Sequence, residues 1–170
     1  KLGLPIKHFV ASTNVNDTVP RFLNTGDYQP NPSVATISNA MDVSNPSNFI
    51  RIQELFNNDF SDLKSDFTSF SFNDEETRKV MLKVYQQDNY VLDPHGAVGY
   101  LGLKKYLSEN SSQAVGVFLE TAHPIKFLDV VEETLGIKLE IPNSIQSIMH
   151  KEKKTVEIST YSELKSFLLQ

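Results

Sequence analysis

The stretch DPHGAVGYLGLKKY, Asp93 to Tyr106, constrains the fold more than any other part of the chain. Asp93 is a residue type that caps a helix, and Pro94 suits the first helical position because its missing N–H has no partner there anyway. Glycines then recur at 96, 99 and 102, one every three residues. Each costs roughly 1 kcal/mol against alanine in a helix interior, about 3 kcal/mol together. Something must offset that loss. A bare helix stripe packed closely against a strand would do so, and so would a ligand approaching the helix start near Gly96. The two readings are compatible.

The rest of the chain supplies strands and helices in alternation. Ile6–Ser12 reads as a first strand. Gln113–Leu119, nearly all apolar at its centre, reads as a second strand covered on both faces. A third is expected near Thr155–Ile158. Between them, Asp17 can cap a short helix running through Leu23, and a helix begins near Pro46 with Phe49, Ile52 and Phe56 at helical spacing. Phe60–Phe72 reads as a helix with a loop. Asn73 and Glu76 form a capping-box pattern ahead of a buried stripe of Val80, Val84 and Tyr85. A helix from about Pro124 ends at Gly136, and Thr160 with Glu163 opens the last one. This order predicts an α/β fold, a mostly parallel sheet flanked by helices. Ligands collect at the carboxyl ends of strands in such sheets. That directs attention to the loop after Ser12, the small residues around Ser38, and Glu120-Thr121.

Bulk properties remove several function classes. At 170 residues the chain is one domain in size. A formal net charge of -5 leaves no basic face to neutralise phosphates, so no nucleic-acid partner is expected. The short basic cluster Lys151-Glu-Lys-Lys154 reads as a solvated turn. There is no cysteine, hence no disulfide or thiolate chemistry. No apolar run is long enough for a membrane span, and without a secretory signal a cytoplasmic location is expected. Lys1-Leu-Gly-Leu-Pro5 reads as the end of a helix, with Gly3 just beyond it, so the chain is expected to be a piece of a longer one.

Spacing names no reaction. His8, His95, His123 and His150 show no metal-ligand pattern, although His95 and His123 stand at helix starts, where the dipole favours neutral imidazole. Lys126 follows a proline at an exposed helix start and lacks the desolvated setting a reactive lysine needs. No nucleophile elbow, dinucleotide fingerprint or phosphate-binding loop is present.

Four stretches together resemble the threonine synthases: Gly3–Leu23 (GLPIKHFVASTNVNDTVPRFL), Thr36–Asn48 (TISNAMDVSNPSN), Asp93–Val98 (DPHGAV) and Thr121–Phe127 (TAHPIKF). The resemblance implies a pyridoxal 5'-phosphate enzyme of fold type II, like the tryptophan synthase β chain. Such an enzyme converts O-phospho-L-homoserine and water to L-threonine and phosphate. It further implies that the chain is the C-terminal part of the large cofactor-binding domain, a single domain over 1–170 with an extension from about 137. The family's catalytic lysine, in a Phe-Lys-Asp segment, and its phosphate loop are absent from this sequence, so the chain alone is expected to be inactive. By the same resemblance Thr121 matches the threonine facing the pyridine nitrogen, and Asp93 and His95 match the segment beside the cofactor ring. Ser38 and Asn39 match a polar loop on the substrate side; Asn14, Asn16 and Asp17 match a motif at the cleft rim. Two alternatives stay open: another fold-type-II lyase or dehydratase, and a non-catalytic binding domain that keeps the scaffold.

Overall fold

The computed structural model describes residues 3–110, 114–149, 151–152 and 154–170. It divides into two compact units, Lys1–Leu139 and Glu140–Gln170.

In the first unit, strand β1 (Phe9–Thr13) pairs in parallel with β2 (Phe67–Ser71), Phe9 opposite Phe67 and Thr13 opposite Ser71. The two phenylalanine rings stack at 5.0 Å between centroids, a cross-strand contact that helps hold the register. β2 corrects the expectation of a helix with a loop over Phe60–Phe72. Helix α3 occupies only Phe60–Asp66, and its last residue leads directly into an extended backbone at Phe67. The alternation of aromatic with Thr and Ser in FTSFS is strand chemistry, masked in the sequence because no turn residue separates it from the helix.

The crossover between β1 and β2 carries α1 (Thr18–Thr25), a 3-10 turn at Asn39–Met41, α2 (Phe49–Leu55) and α3. Phe22, Leu23, Phe49, Phe56 and Leu63 form an aromatic core beneath it. Ile52 packs against that core, so the Phe49, Ile52, Phe56 spacing marks the buried face. Asp17 stands at the N-cap of α1 without capping it; its carboxylate bonds Arg21 Nε at 2.8 Å instead.

Helix α4 (Asp74–Asp88) starts in the expected capping box between Asn73 and Glu76 and buries Val80, Met81 and Val84. Helix α5 (Pro94–Asn110) follows. Together with Leu92, Ala97, Val131 and Leu135, the stripe of α4 builds a second core. A 3-10 turn at Pro124–Phe127 precedes α6 (Leu128–Leu135), which stops at Gly136 with φ +67°. Gly3 has φ +80°, a conformation glycine adopts without steric cost.

The second expected strand is not one in hydrogen-bonding terms: among the described residues the sheet holds β1 and β2 alone, and Gln113 lies outside them. Residues 114–120 nevertheless alternate as an extended chain does. Val115, Val117 and Leu119 are exposed, while Gly116 faces Leu103, Phe118 faces Gly99 and Glu120 faces Gly96. As 116, 118 and 120 advance, their partners on α5 recede from 103 to 99 to 96. The segment therefore runs antiparallel to α5, about one helical turn to every two extended residues.

This contact bears out the packing reading of the glycines. A side chain at Gly102 would overlap Ser12 Oγ of β1 and lie 3.0 Å from its Cβ, and one at Gly96 would fall inside the Glu120 carboxyl. The bare stripe lets α5 approach β1 on one side and segment 114–120 on the other.

The second unit holds α7 (Asn143–Gln146) and α8 (Tyr161–Leu168). α8 opens on the expected capping box of Thr160 and Glu163. The strand expected near Thr155–Ile158 is absent: these residues have no ladder partner among those described, and Val156 is exposed. A β-prone run forms no strand without a neighbour to share its N–H and C=O groups.

Candidate functional site

The start of α5 is built around Asp93, whose side chain is fully buried. Its Oδ1 accepts from the His95 backbone N–H and from His95 Nδ1, both at 2.8 Å; Oδ2 accepts from the Gly96 N–H at 3.4 Å. Asp93 thus caps the helix and orients the imidazole in one stroke. The other ring nitrogen, Nε2, accepts from the backbone N–H of Ala40 at 3.2 Å. A backbone N–H can only donate, so Nε2 carries the lone pair and Nδ1 the proton. His95 is neutral in this arrangement, and its ring lies 4.6 Å from that of Phe127.

Behind Asp93 stands Glu120, whose Oε1 accepts from the Asp93 backbone N–H at 3.1 Å. Burial, followed by hydrogen bonding with the Asp93 side chain, pushes its carboxyl up to about 7. Asp93 moves the other way. Its own burial opposes ionisation, but hydrogen bonds from the His95 ring, Glu120 and the His95 backbone outweigh it and hold Asp93 below the usual carboxylate range. Two adjacent acids with opposed shifts are the signature of one proton held between two carboxyl groups.

Thr121 follows Glu120 directly and is exposed. His123, two residues on, caps the 3-10 turn by accepting from the Ile125 N–H at 3.2 Å. Lys126 sits exposed within that turn, in the solvated setting its sequence context implies.

A second polar group surrounds Asp42. Its Oδ1 accepts from Asn14 Nδ2 at 2.9 Å, Asn16 Nδ2 at 3.2 Å and Thr36 Oγ1 at 2.8 Å, and its Oδ2 accepts from the Thr36 N–H at 2.9 Å. Asn14 also donates to Ser38 Oγ at 3.1 Å, and Asn16 pins the loop by donating to the Val34 carbonyl and accepting from the Val34 N–H. Asn14, Asn16, Ser38 and Ser44 are all buried. The polar atoms of Asn14, Asn16 and Ser38 are thus engaged in shaping the loop that carries Asn39 and Ala40. Asn39 is exposed on the 3-10 turn, beside the residue that bonds His95.

Asp93, His95, the Asn39-Ala40 turn and Glu120-Thr121 therefore meet at one place. Asn14, Asn16 and Ser38 support that place from behind, and Asp17 is engaged apart from it with Arg21. Sequence reasoning passed over Asp42 and singled out Glu120 only as the neighbour of Thr121, with no role of its own. The available signals were modest: one acid within a small-residue loop, and one acid closing an apolar run.

Residues 96–168 match the family model described as "Threonine synthase, C-terminal". Threonine synthase of Haemophilus influenzae is 45% identical over 170 residues, an alignment covering 99% of this chain and 39% of that protein. Over nearly its whole length the chain is similar to threonine synthases.

Solved threonine synthases share the fold as well. The crystal structure from Escherichia coli superimposes with a TM-score of 0.83 at 36% identity, covering 99% of this chain and 38% of that one. The pyridoxal-phosphate-bound threonine synthase of Brucella melitensis gives 0.74 at 28% identity, over 89% and 37%. The expected α/β class, with parallel strands flanked by helices in the fold-type-II manner, holds. The chain spans about two fifths of the length of the threonine synthases it matches.

Proposed function

We propose that this chain forms the pyridine-nitrogen side of a pyridoxal-phosphate cleft in a threonine synthase acting on O-phospho-L-homoserine. The observation that carries the reading is the position of Thr121: an exposed neutral hydroxyl at the end of an extended segment, next to the buried Asp93–Glu120 pair and a neutral His95. The residues present fit the cofactor in chemical kind. The cofactor's pyridine nitrogen can accept a hydrogen bond from the Thr121 hydroxyl, a neutral partner that, unlike a carboxylate, does not hold the nitrogen protonated.

When bound, the cofactor supplies an electron sink whose strength its nitrogen partner moderates. In this reading the chain's own residues do the following. Thr121 pairs with the ring nitrogen as a neutral donor or acceptor. Asp93 holds the His95 ring in a single tautomer. His95 fixes the Asn39-Ala40 turn through the Ala40 N–H. Asn39 lines the substrate side, while the buried Ser38, with Asn14 and Asn16, sets the loop's shape and Asp17 stays at the rim. No lysine of the chain lies in a Phe-Lys-Asp segment, so the chain alone releases no phosphate from phosphohomoserine. We assign residues from about 137 onward to a C-terminal extension of the domain.

The test is a chimera in which this chain replaces the matching C-terminal portion of the Haemophilus influenzae relative. With pyridoxal phosphate and phosphohomoserine it is expected to release phosphate and form threonine. A soluble chimera that binds the cofactor and accepts only serine or threonine for dehydration would overturn the substrate assignment. One that binds no cofactor would overturn the whole reading.

A further inference from the structure

Glu120 is the one residue at this site whose chemistry remains unused. Its Oε2 is buried with no ordinary hydrogen-bond donor reaching it, the one such side-chain atom among the described residues. Its other oxygen, Oε1, takes the Asp93 backbone N–H at 3.1 Å, which sets the two acids side by side, and the Asp93 side chain is among the causes that raise the Glu120 carboxyl. Both groups are acceptors when ionised, so a bond between them exists only if one is protonated. Asp93 already receives three N–H donors from His95 and Gly96 and remains the acceptor. The proton therefore sits on Glu120.

We propose that Glu120 is a positioning residue that docks the end of segment 114–120 onto the start of α5 as a neutral acid, and thereby sets where Thr121 stands. Oε1 takes the Asp93 backbone N–H, and the opposite oxygen donates its proton to the Asp93 carboxylate. The carboxyl fills the notch that the missing side chain of Gly96 leaves open; a Cβ there would lie 2.6 Å from Oε1 and closer still to Oε2. Docking and helix start are thus keyed to each other: Gly96 is a glycine because Glu120 occupies its side-chain volume. Val115, Val117 and Leu119 point away into solvent, so this end of the segment rests on Glu120 and on the contacts of Gly116 and Phe118 with α5.

Ionisation of Glu120 sets a second negative charge beside Asp93 in a buried position, which disfavours docking. The titratable group facing Glu120 is Asp93, with His95 behind it. An acid whose proton is held more tightly in the folded state contributes stability that is complete below its unfolded value and is lost as pH rises through about 7. The docking itself stands without any cofactor; its meaning for Thr121 rests on the function proposed above.

Thermal unfolding of the chain at pH values from about 5 to about 8, with amide-exchange protection of residues 115–121 corrected for intrinsic rates, tests this directly. The native chain is expected to lose about 5 °C in Tm over that range and most of the protection in the segment. Glu120→Gln keeps a donor and an acceptor but cannot ionise; it should match the native chain at low pH and lose that slope. Gly96→Ala, which expels the carboxyl, should show low protection at every pH. A Glu120→Gln variant with the native slope, or native protection of 115–121 unchanged across the range, overturns the proposal. Neither readout involves cofactor, so failure here leaves the threonine synthase reading intact, and failure of cofactor binding in the chimera leaves the docking intact.

Discussion

Gly96 and Glu120 occupy one volume: the carboxyl of the second lies where the first would carry its Cβ. The three regularly spaced glycines of α5 consequently do different work. Gly99 has nothing nearer than 3.9 Å, at Phe118, whereas Gly102 is pressed against Ser12.

Alanine substitutions in this stripe should therefore differ in sign. Gly99→Ala meets only ordinary contact distances and is expected to stabilise the chain by up to about 1 kcal/mol through helix propensity. Gly102→Ala must push β1 away or rotate Ser12, and is expected to cost about 1–3 kcal/mol despite the same propensity gain. Urea denaturation of the two variants reads both signs.

Asp42 and Asp17 offer a contrast between two carboxylates. Asp42 accepts four hydrogen bonds that shape the loop. Asp42→Asn replaces an accepting oxygen with a donor facing Asn14, Asn16 and Thr36, and should destabilise by about 1–3 kcal/mol. Asp17→Asn removes only a half-exposed ion pair with Arg21 and is expected to change stability by less than about 1 kcal/mol. Equal effects in denaturant melts would contradict the hub role of Asp42.

Asn73→Ala removes the side-chain half of a capping box that satisfies both the Glu76 and Asn73 backbone N–H groups. A loss of about 1 kcal/mol is expected, and Asn73→Ser should recover most of it. Circular dichroism during denaturation checks both.

Thr121→Val separates site from scaffold. The side chain is exposed, so the fold should hold to within about 0.5 kcal/mol. In the cofactor-loaded chimera, the absorbance of pyridoxal phosphate should shift and turnover should fall. An unchanged spectrum and rate would remove Thr121 from the nitrogen side.

What the sequence by itself determined was whatever depends on neighbours in the chain. The two capping boxes, the start of α5 at Asp93-Pro94 and the stop of α6 at Gly136 are all written in local spacing, because a helix satisfies its own backbone. The family is legible for a related reason: motifs such as TAHPIKF are contiguous. Strands were harder, since their hydrogen bonds come from elsewhere. FTSFS became β2 because Phe67 found Phe9 nearly 60 residues away; the apolar 114–119 and the run 155–158 have no such partner among the described residues. The candidate site divides along the same line. Asp93, His95 and Thr121 could be picked out from contiguous motifs. The roles of Asp42 and Glu120, and the close packing at Gly96, appeared only where separate segments closed on one another, because burial and a shared proton are properties of that meeting and of no single stretch.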